Sequence, residues 1–317
     1  MSTLPSLTHA QLIALDWGTT HLRAALLGDG GAVLEHRQSE SGVMRVDGGR
    51  YDHALAALCG DWLARPDLPV IASGMIGSRQ GWREAPYLAC PAGIEQASSH
   101  LTRIALHTGG SLWVVPGLHG KAHSGIDDVM RGEETQIWGA DLPAGALVVL
   151  PGTHSKWASV GQSGRIEGFQ TFMTGELYAV LTTYSILGRL MKLGGYALEA
   201  FDAGVRLGLS DHARATHVMF AARTAGLMDQ VAPEALPDYL SGILIGIEVG
   251  AAGTAPSSQN HSTAASDPIT LIGAAELCER YRRALVIANR PATLAAGDVL
   301  TRGLWRIALA AGLIRMG

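Results

Sequence analysis

Two short apolar runs constrain this chain more than anything else in it, because each breaks into a polar, glycine-bearing loop and then resumes. The first is Leu12-Ile13-Ala14-Leu15, followed by Asp16-Trp17-Gly18-Thr19-Thr20 and a second run from Leu22 to Leu27. The other is Ala146-Leu147-Val148-Val149-Leu150, followed by Pro151-Gly152-Thr153-His154-Ser155-Lys156-Trp157. Apolar runs of this length between turn residues read as buried strands. The stretch from Leu12 through the glycine turn 28–31 to Ala32-Val33-Leu34 reads as an antiparallel meander. Residues 151–157 read as a sharp loop, with a hairpin over 158–160 and 164–169. No repeat of 20–50 residues is present, yet each half opens with strands and a polar glycine loop and continues into helices. That suggests two related α/β lobes around a cleft.

The rest of the chain fits around these runs. Leu55, Leu58 and Trp62 share one face of a helix over residues 51–63, and a strand over 69–72 runs into a glycine-bracketed loop. Residues 94–105 read as a short helix or an irregular connection, 111–115 as a strand, and 131–140 as a helix with Ile137 and Trp138 inward. From 175 to about 252 the pattern is helical, with breaks at Gly194-Gly195 and around Pro233 and Pro237. Residues 253–268, rich in Ser, Ala, Thr and Asn, read as an exposed loop. Strands are expected at 269–272 and 284–287, a helix between them through Tyr281, and a last helix over 301–314.

The 317 residues are 47% hydrophobic and 16% charged, too apolar for disorder and long enough for two lobes. The net charge of −4 leaves no electrostatic footprint for nucleic acid. Cys59, Cys90 and Cys278 form no C-x-x-C pair, so a disulfide framework or zinc site is not expected and a reducing cytoplasm fits. Residues 1–11 have no positive charge and no long apolar stretch, which argues against a secretory leader. The apolar stretch 241–255 is interrupted by Glu248 and is too short for a membrane span.

Five constellations could carry chemistry. Asp16, at a strand end, could hold Mg²⁺, with Gly18, Thr19 and Thr20 approaching phosphate; the same residues also make an ordinary β-turn. Gly152, Thr153 and Lys156 could cradle and neutralise a second phosphate, or form a hairpin turn with a solvated lysine. Glu133 and Glu134 open a helix, where carboxylates are dipole-stabilised; one of them could instead be a general base, with Arg131 binding an anion. The aperiodic segment 74–87, containing Gly74, Ser78, Arg79 and Trp82, reads as a substrate loop or a long surface loop. Gly273, between strand and helix, could pack under an adenine ring or serve close strand–helix packing. Gly120-Lys121 is not a Walker A loop, because Ala122 replaces the hydroxyl and Val115 the first glycine. His154 sits beside the second loop, in either a functional or a structural role.

Taken together, these residues resemble the sugar kinases of the actin, Hsp70 and hexokinase superfamily. Asp16-Trp17-Gly18-Thr19-Thr20 resembles the first phosphate motif, Gly152-Thr153-His154-Ser155-Lys156 a shortened second one, and Gly273-Ala274-Ala275 the adenosine motif. Segments 74–87, 129–136, 151–157, 173–177 and 240–248 narrow the likeness to the branch that acts on 2-dehydro-3-deoxygalactonate. The resemblance implies a two-lobed actin-like ATPase fold: duplicated ribonuclease-H-like domains around a nucleotide cleft. It implies ATP and Mg²⁺ as cofactors and a small sugar-acid substrate, phosphorylated at its 6-hydroxyl in galactonate catabolism. The lobes are expected at residues 1–120 and 121–295, with 296–317 returning to the first. On this reading Asp16 holds Mg²⁺, while Thr19, Thr20, Thr153 and Lys156 meet phosphates. Glu133, or Glu134 beside it, is the base, where many relatives carry Asp. Arg23, Arg79 and Arg131 are all candidates for the substrate carboxylate. A kinase for the gluconate epimer and a non-catalytic sugar sensor are the competing readings.

Overall fold

The computed structural model describes residues 9–121, 125–253 and 268–315. The first eight residues of the leader reading and nearly all of the 253–268 loop therefore lie outside the described residues. In chain order the first strands are β1 (Leu12–Trp17), β2 (Leu22–Leu27), β3 (Val33–Ser39), β4 (Val70–Ser73), β5 (Tyr87–Ala89), β6 (Thr102–Ala105), β7 (Ser111–Val114), β8 (Gly117–Lys121) and β9 (Asp127–Met130). They are followed by β10 (Leu147–Leu150), β11 (Ser155–Val160), β12 (Ile166–Phe172), β13 (Ile269–Leu271) and β14 (Ala292–Leu294). One sheet has the order β3-β2-β1-β4-β7-β6 and a second has β12-β11-β10-β13-β14. In both, three antiparallel strands form a meander and the first of them pairs in parallel with a later strand. The same topology built twice is the duplicated ribonuclease-H-like arrangement of the actin-like ATPase fold. A third sheet, β5-β8-β9, joins residues on both sides of position 120.

Burial on both faces explains why β1 reads as a continuous apolar run. Leu12 and Ala14 enter one core cluster, and Ile13, Leu15 and Trp17 enter another. Asp16 falls on the Leu12 face by strand alternation. The helices in chain order are α1 (Tyr51–Cys59), α2 (Ile94–Ser99), α3 (Glu133–Ala140), α4 (Thr174–Tyr184), α5 (Leu198–Ser210), α6 (Ala215–Leu227), α7 (Leu236–Gly253), α8 (Ala275–Ile287) and α9 (Val299–Ala310). Leu304, Ile307 and Ala308 of α9 share a core cluster with Leu12 and Ala14 of the first sheet and Val148 and Leu150 of the second. The Asp298 carboxylate caps α9, accepting the Thr301 amide at 3.1 Å, a standard helix start.

Helices α3 and α9 cross with almost no space between their backbones. A methyl group at Gly139 would fall on the Val299 carbonyl oxygen, and one at Gly303 on the carbonyl of Thr135. Neither obstruction is a flexible side chain, so the helices must separate to admit it. Gly139→Ala should therefore cost at least the ~1–3 kcal/mol typical of an overpacked core, read as a lowered midpoint in urea unfolding. A midpoint equal to that of the unaltered chain would contradict this crossing.

Several segments differ from the sequence expectation, strand β6 at the end of the 94–105 connection among them. Residues 284–287 are the last turn of α8, not a strand: Ala284 and Leu285 continue the buried face of Cys278 and Tyr281, and a four-residue apolar run cannot distinguish the two. The sharp loop ends at His154, because Ser155–Val160 is already β11. Gly120 and Lys121 lie in β8, which the polar sequence Gly117–Lys121 does not announce. Cys59, Cys90 and Cys278 are free thiols. Among the described residues no helix is long and apolar enough to cross a membrane.

Candidate active site

Parallel pairing brings the carboxyl ends of β1 and β4 together, with Asp16 opposite Ser73. It does the same for β10 and β13 in the second sheet. Loops at such strand ends are where open α/β sheets bind ligands. The Gly18, Thr19 and Thr20 turn is braced from behind: amides of Val43, Met44 and Gly42 donate to the carbonyls of Gly18, Thr19 and Thr20 at 3.0–3.1 Å. Gly42 sits so close that a methyl group there would overlap the Thr20 backbone. Thr19 and Thr20 stay exposed, free to face a ligand.

Asp16 is half-buried and accepts a hydrogen bond from Arg23 at 3.1 Å. Burial lifts its carboxyl above the ordinary value, the nearby Asp298 adds to this, and Arg23 pulls it back. With Gly273 and Asp298, the pair lines a cavity of about 590 Å³ between the two sheets. Gly273 is exposed at its rim, close to the Pro151 carbonyl. Among the described residues no cluster of three or more metal-ligating side chains exists. A single carboxylate completed by nucleotide oxygens and water is the usual Mg²⁺ arrangement. Asp16, half-buried on the wall of this cavity, fits such an ion.

Just past the second loop, Lys156 of β11 meets the start of α3. Its side chain is 5% exposed, and the ammonium lies 3.2 Å from Glu133 Oε1 and donates to the His154 carbonyl at 3.1 Å. Thr153 and His154 are exposed, Gly152 partly so. The turn into α4 presses on this loop: the Glu176 amide donates to the Thr153 carbonyl at 3.0 Å, and His154 pairs with the Glu176 carboxylate. Behind the loop lies a smaller cavity of about 210 Å³, lined by Thr174, Ser241, Leu244, Leu277, Arg280 and Tyr281, with Gly152 at its edge.

The two carboxylates that open α3 have different surroundings. Glu133 is one-quarter exposed, and its Oε2 accepts the Arg131 amide at 3.0 Å. Glu134 is 0% exposed. It accepts the Gly132 amide at 2.7 Å and the Thr135 hydroxyl at 3.0 Å, and that hydroxyl lies 2.8 Å from Ser73 Oγ. Burial, with the charge of Glu133, pushes the Glu134 carboxyl up to about 7. Between the ordinary 4.5 and about 7 the folded chain then holds a proton that the unfolded chain has lost. Stability should fall as pH rises through that window and level off above it, by on the order of 3 kcal/mol. Unfolding measured from pH 4.5 to 8 should show this slope in the natural chain and its loss in Glu134→Gln. Equal slopes would refute the assignment.

The structure separates the three arginine candidates. Arg23 is engaged by Asp16. Arg79 is 88% exposed, with Glu84 at 3.5 Å. Arg131 is buried: one nitrogen donates to the Ala85 carbonyl at 2.9 Å, and the guanidinium lies 4.2 Å from the centre of the Tyr87 ring. Its Nε and remaining terminal nitrogen have no partner, nor does the nearby buried Ser78 hydroxyl. The unpaired nitrogen packs on Gly77, next to Ser78. Buried donors left this way are costly unless a ligand or water takes them. Gly74 lies between Asp16 and Gly132, within van der Waals reach of both, so the substrate loop and α3 share one neighbourhood. Trp82 is half-buried, stacked on Tyr51 at 5.9 Å and edge-on to Trp17 at 6.2 Å. It builds the floor of the loop.

The sequence matches the profile described as 2-keto-3-deoxy-galactonokinase over residues 16–307. The chain belongs to that family. The 2-dehydro-3-deoxygalactonokinase of Escherichia coli (strain K12) is 38% identical over 290 residues, which is 91% of this chain and 94% of that one. A candidate 2-dehydro-3-deoxygalactonokinase from Sinorhizobium meliloti, solved as a crystal structure, superposes with a TM-score of 0.79 at 35% identity. That match covers 94% of this chain and 96% of the other. The 2-keto-3-deoxy-galactonokinase profile spans both sheets and every site residue described above. Four further residues that the sequence reading did not single out border this candidate site: Gly42 behind the first loop, Ser73 and Thr135 behind Glu134, and Asp298 beside Asp16. Asp298 alone could have been found, as an Asp three residues before Thr301 at a helix start.

Proposed function

We propose that this chain transfers the terminal phosphoryl group of ATP to the 6-hydroxyl of 2-dehydro-3-deoxy-D-galactonate. The contact that carries the reading is Glu133, at the start of α3, against Lys156 of β11 at 3.2 Å. A base and a phosphate-directed cation belong side by side in a transfer that depends on alignment and charge. The hydroxyl oxygen attacks the terminal phosphorus, the bond to the ADP oxygen breaks, and Glu133 takes the hydroxyl proton. Lys156 faces the charge that develops on the phosphoryl oxygens, and Gly18, Thr19, Thr20, Gly152 and Thr153 offer amides and hydroxyls to the phosphates. Asp16 would hold Mg²⁺, which when bound offsets phosphate charge.

The smaller cavity suits a nucleoside, with apolar walls from Leu244 and Leu277 and polar groups from Ser241 and Arg280. Arg280 is itself fixed by Asp238 at 2.6 Å. Gly273 belongs to the rim of the larger cavity on this reading, above the phosphates. Glu134, wholly buried, acts through Gly132 and Thr135 to fix the start of α3. Arg131 and Ser78 receive the substrate carboxylate, while Arg23 orients Asp16 and Arg79 stays at the surface. Residues 1–120 with the final helix form one lobe and 121–295 the other, crossing at α3 and α9. Free thiols fit a cytoplasmic setting.

The test is ADP release with Mg-ATP against 2-dehydro-3-deoxygalactonate, its gluconate epimer, galactonate, galactose and glycerol. Turnover confined to the first supports the proposal. Preference for the epimer would move the chain to another substrate, and no turnover with any acceptor would overturn the kinase reading.

A further inference from the structure

Glu248 lies within α7 at 1% exposure and lines neither cavity. Its two oxygens take different partners: Trp157 Nε1 donates to one at 2.7 Å, and the Tyr281 hydroxyl donates to the other at 2.7 Å. With the Tyr281 proton committed, the Ser155 hydroxyl at 2.8 Å is the donor to Tyr281. The Thr174 hydroxyl also bonds the carboxylate. One buried carboxylate thus gathers β11, the start of α4 and the body of α8. A carboxylate is kept in such a place only when its lone pairs are filled.

The partners fall into two groups. Ser155 and Trp157 flank Lys156 on β11, and strand alternation turns the lysine the opposite way, where it meets Glu133. Tyr281 and Thr174 line the smaller cavity beside Gly152. We infer that Glu248 is a positioning residue that ties the nucleoside cavity to the lysine strand. Its carboxylate fixes Tyr281 and Thr174 on one side and, through Trp157, the placement of Lys156 on the other. This rests on the smaller cavity being the nucleoside site of the proposed kinase.

The two arms can be cut separately in the full-length chain, with ADP affinity measured by calorimetry and steady-state rates measured beside it. Tyr281→Phe keeps the ring and removes the hydroxyl. It should weaken ADP binding and raise KM for ATP about tenfold, with kcat held within about twofold. Trp157→Phe should lower kcat about tenfold and leave ADP affinity within about twofold. Glu248→Gln can still accept from Trp157 and can donate to Tyr281, whose hydroxyl then turns to Ser155. It should restore both parameters to within about threefold of the natural chain, whereas Glu248→Leu should lose both. A purely structural role lowers the melting temperature of both Phe variants and leaves KM for ATP and kcat unchanged, and that result would overturn the inference. If the natural chain binds no ADP, the kinase reading falls together with it. If it binds ADP and the Phe variants match it, the inference falls alone.

Discussion

Glu133→Gln should lower kcat by about 10³-fold, the middle of the range for loss of a general base, while ADP affinity stays close to that of the natural chain. The amide keeps the size of the side chain and can still accept the Arg131 amide that Glu133 Oε2 accepts at 3.0 Å. What it cannot do is take a proton. The comparison with Glu134→Gln sharpens the test. Glu134 is sealed by Gly132 and Thr135 and reaches the reaction only through the shape of the α3 start. Its loss should cost less than about tenfold in kcat and show mainly in the pH dependence of stability. If the order of the two variants were reversed, the base would have to be Glu134, and α3 would have to open to expose it.

The second large effect is expected at Arg131. Arg131→Gln should reduce kcat/KM for the sugar acid by about 10²-fold, the equivalent of ~3 kcal/mol for losing one partner of a desolvated charge pair. The loss should appear mostly in KM for the acid. An analogue carrying a primary alcohol in place of the carboxylate should be used equally by both chains. Stability should change by less than about 1 kcal/mol, because losing the Ala85 hydrogen bond and the Tyr87 ring contact is offset by removing two buried, unpaired donors. A variant that uses the acid normally but unfolds early would show Arg131 to be a core clamp and return the carboxylate to Arg23 or a loop amide.

The parts of this fold legible in the sequence were those with two buried faces or a strict period. The run Leu12–Leu15 reads as a buried strand ending at Asp16, and the matching run before Pro151 marks the second half of the duplication. Strands such as Gly117–Lys121, the middle strand of the small third sheet, could not be read, because Gly-Leu-His-Gly-Lys has no apolar run and no alternation to mark it. The Ala284 to Ile287 run was short enough to suit helix or strand, and only its contacts with Cys278 and Tyr281 decide it.

The candidate site follows the same division. Its loops were visible as strand-end glycine loops, but the ranking of residues within them was not. Glu133 and Glu134 are adjacent on a helix, where neighbouring side chains point about 100° apart. Which one faces Lys156 depends on how α3 packs. Arg23, Arg79 and Arg131 are equivalent as letters. They differ in what surrounds them: a carboxylate, solvent, or a buried wall with two donors left over. Glu248 read as a blemish in an apolar helix, because its partners Trp157 and Tyr281 are 91 and 33 positions away.

The central claim is transfer of a phosphoryl group to a primary hydroxyl of a sugar acid. Proton-coupled phosphorus NMR of the products from Mg-ATP and 2-dehydro-3-deoxygalactonate tests it directly. The account predicts one phosphate monoester per ADP, with its phosphorus signal split by the two protons of a single CH₂ group. Inorganic phosphate alone, or a signal split by one proton from a secondary alcohol, would contradict it.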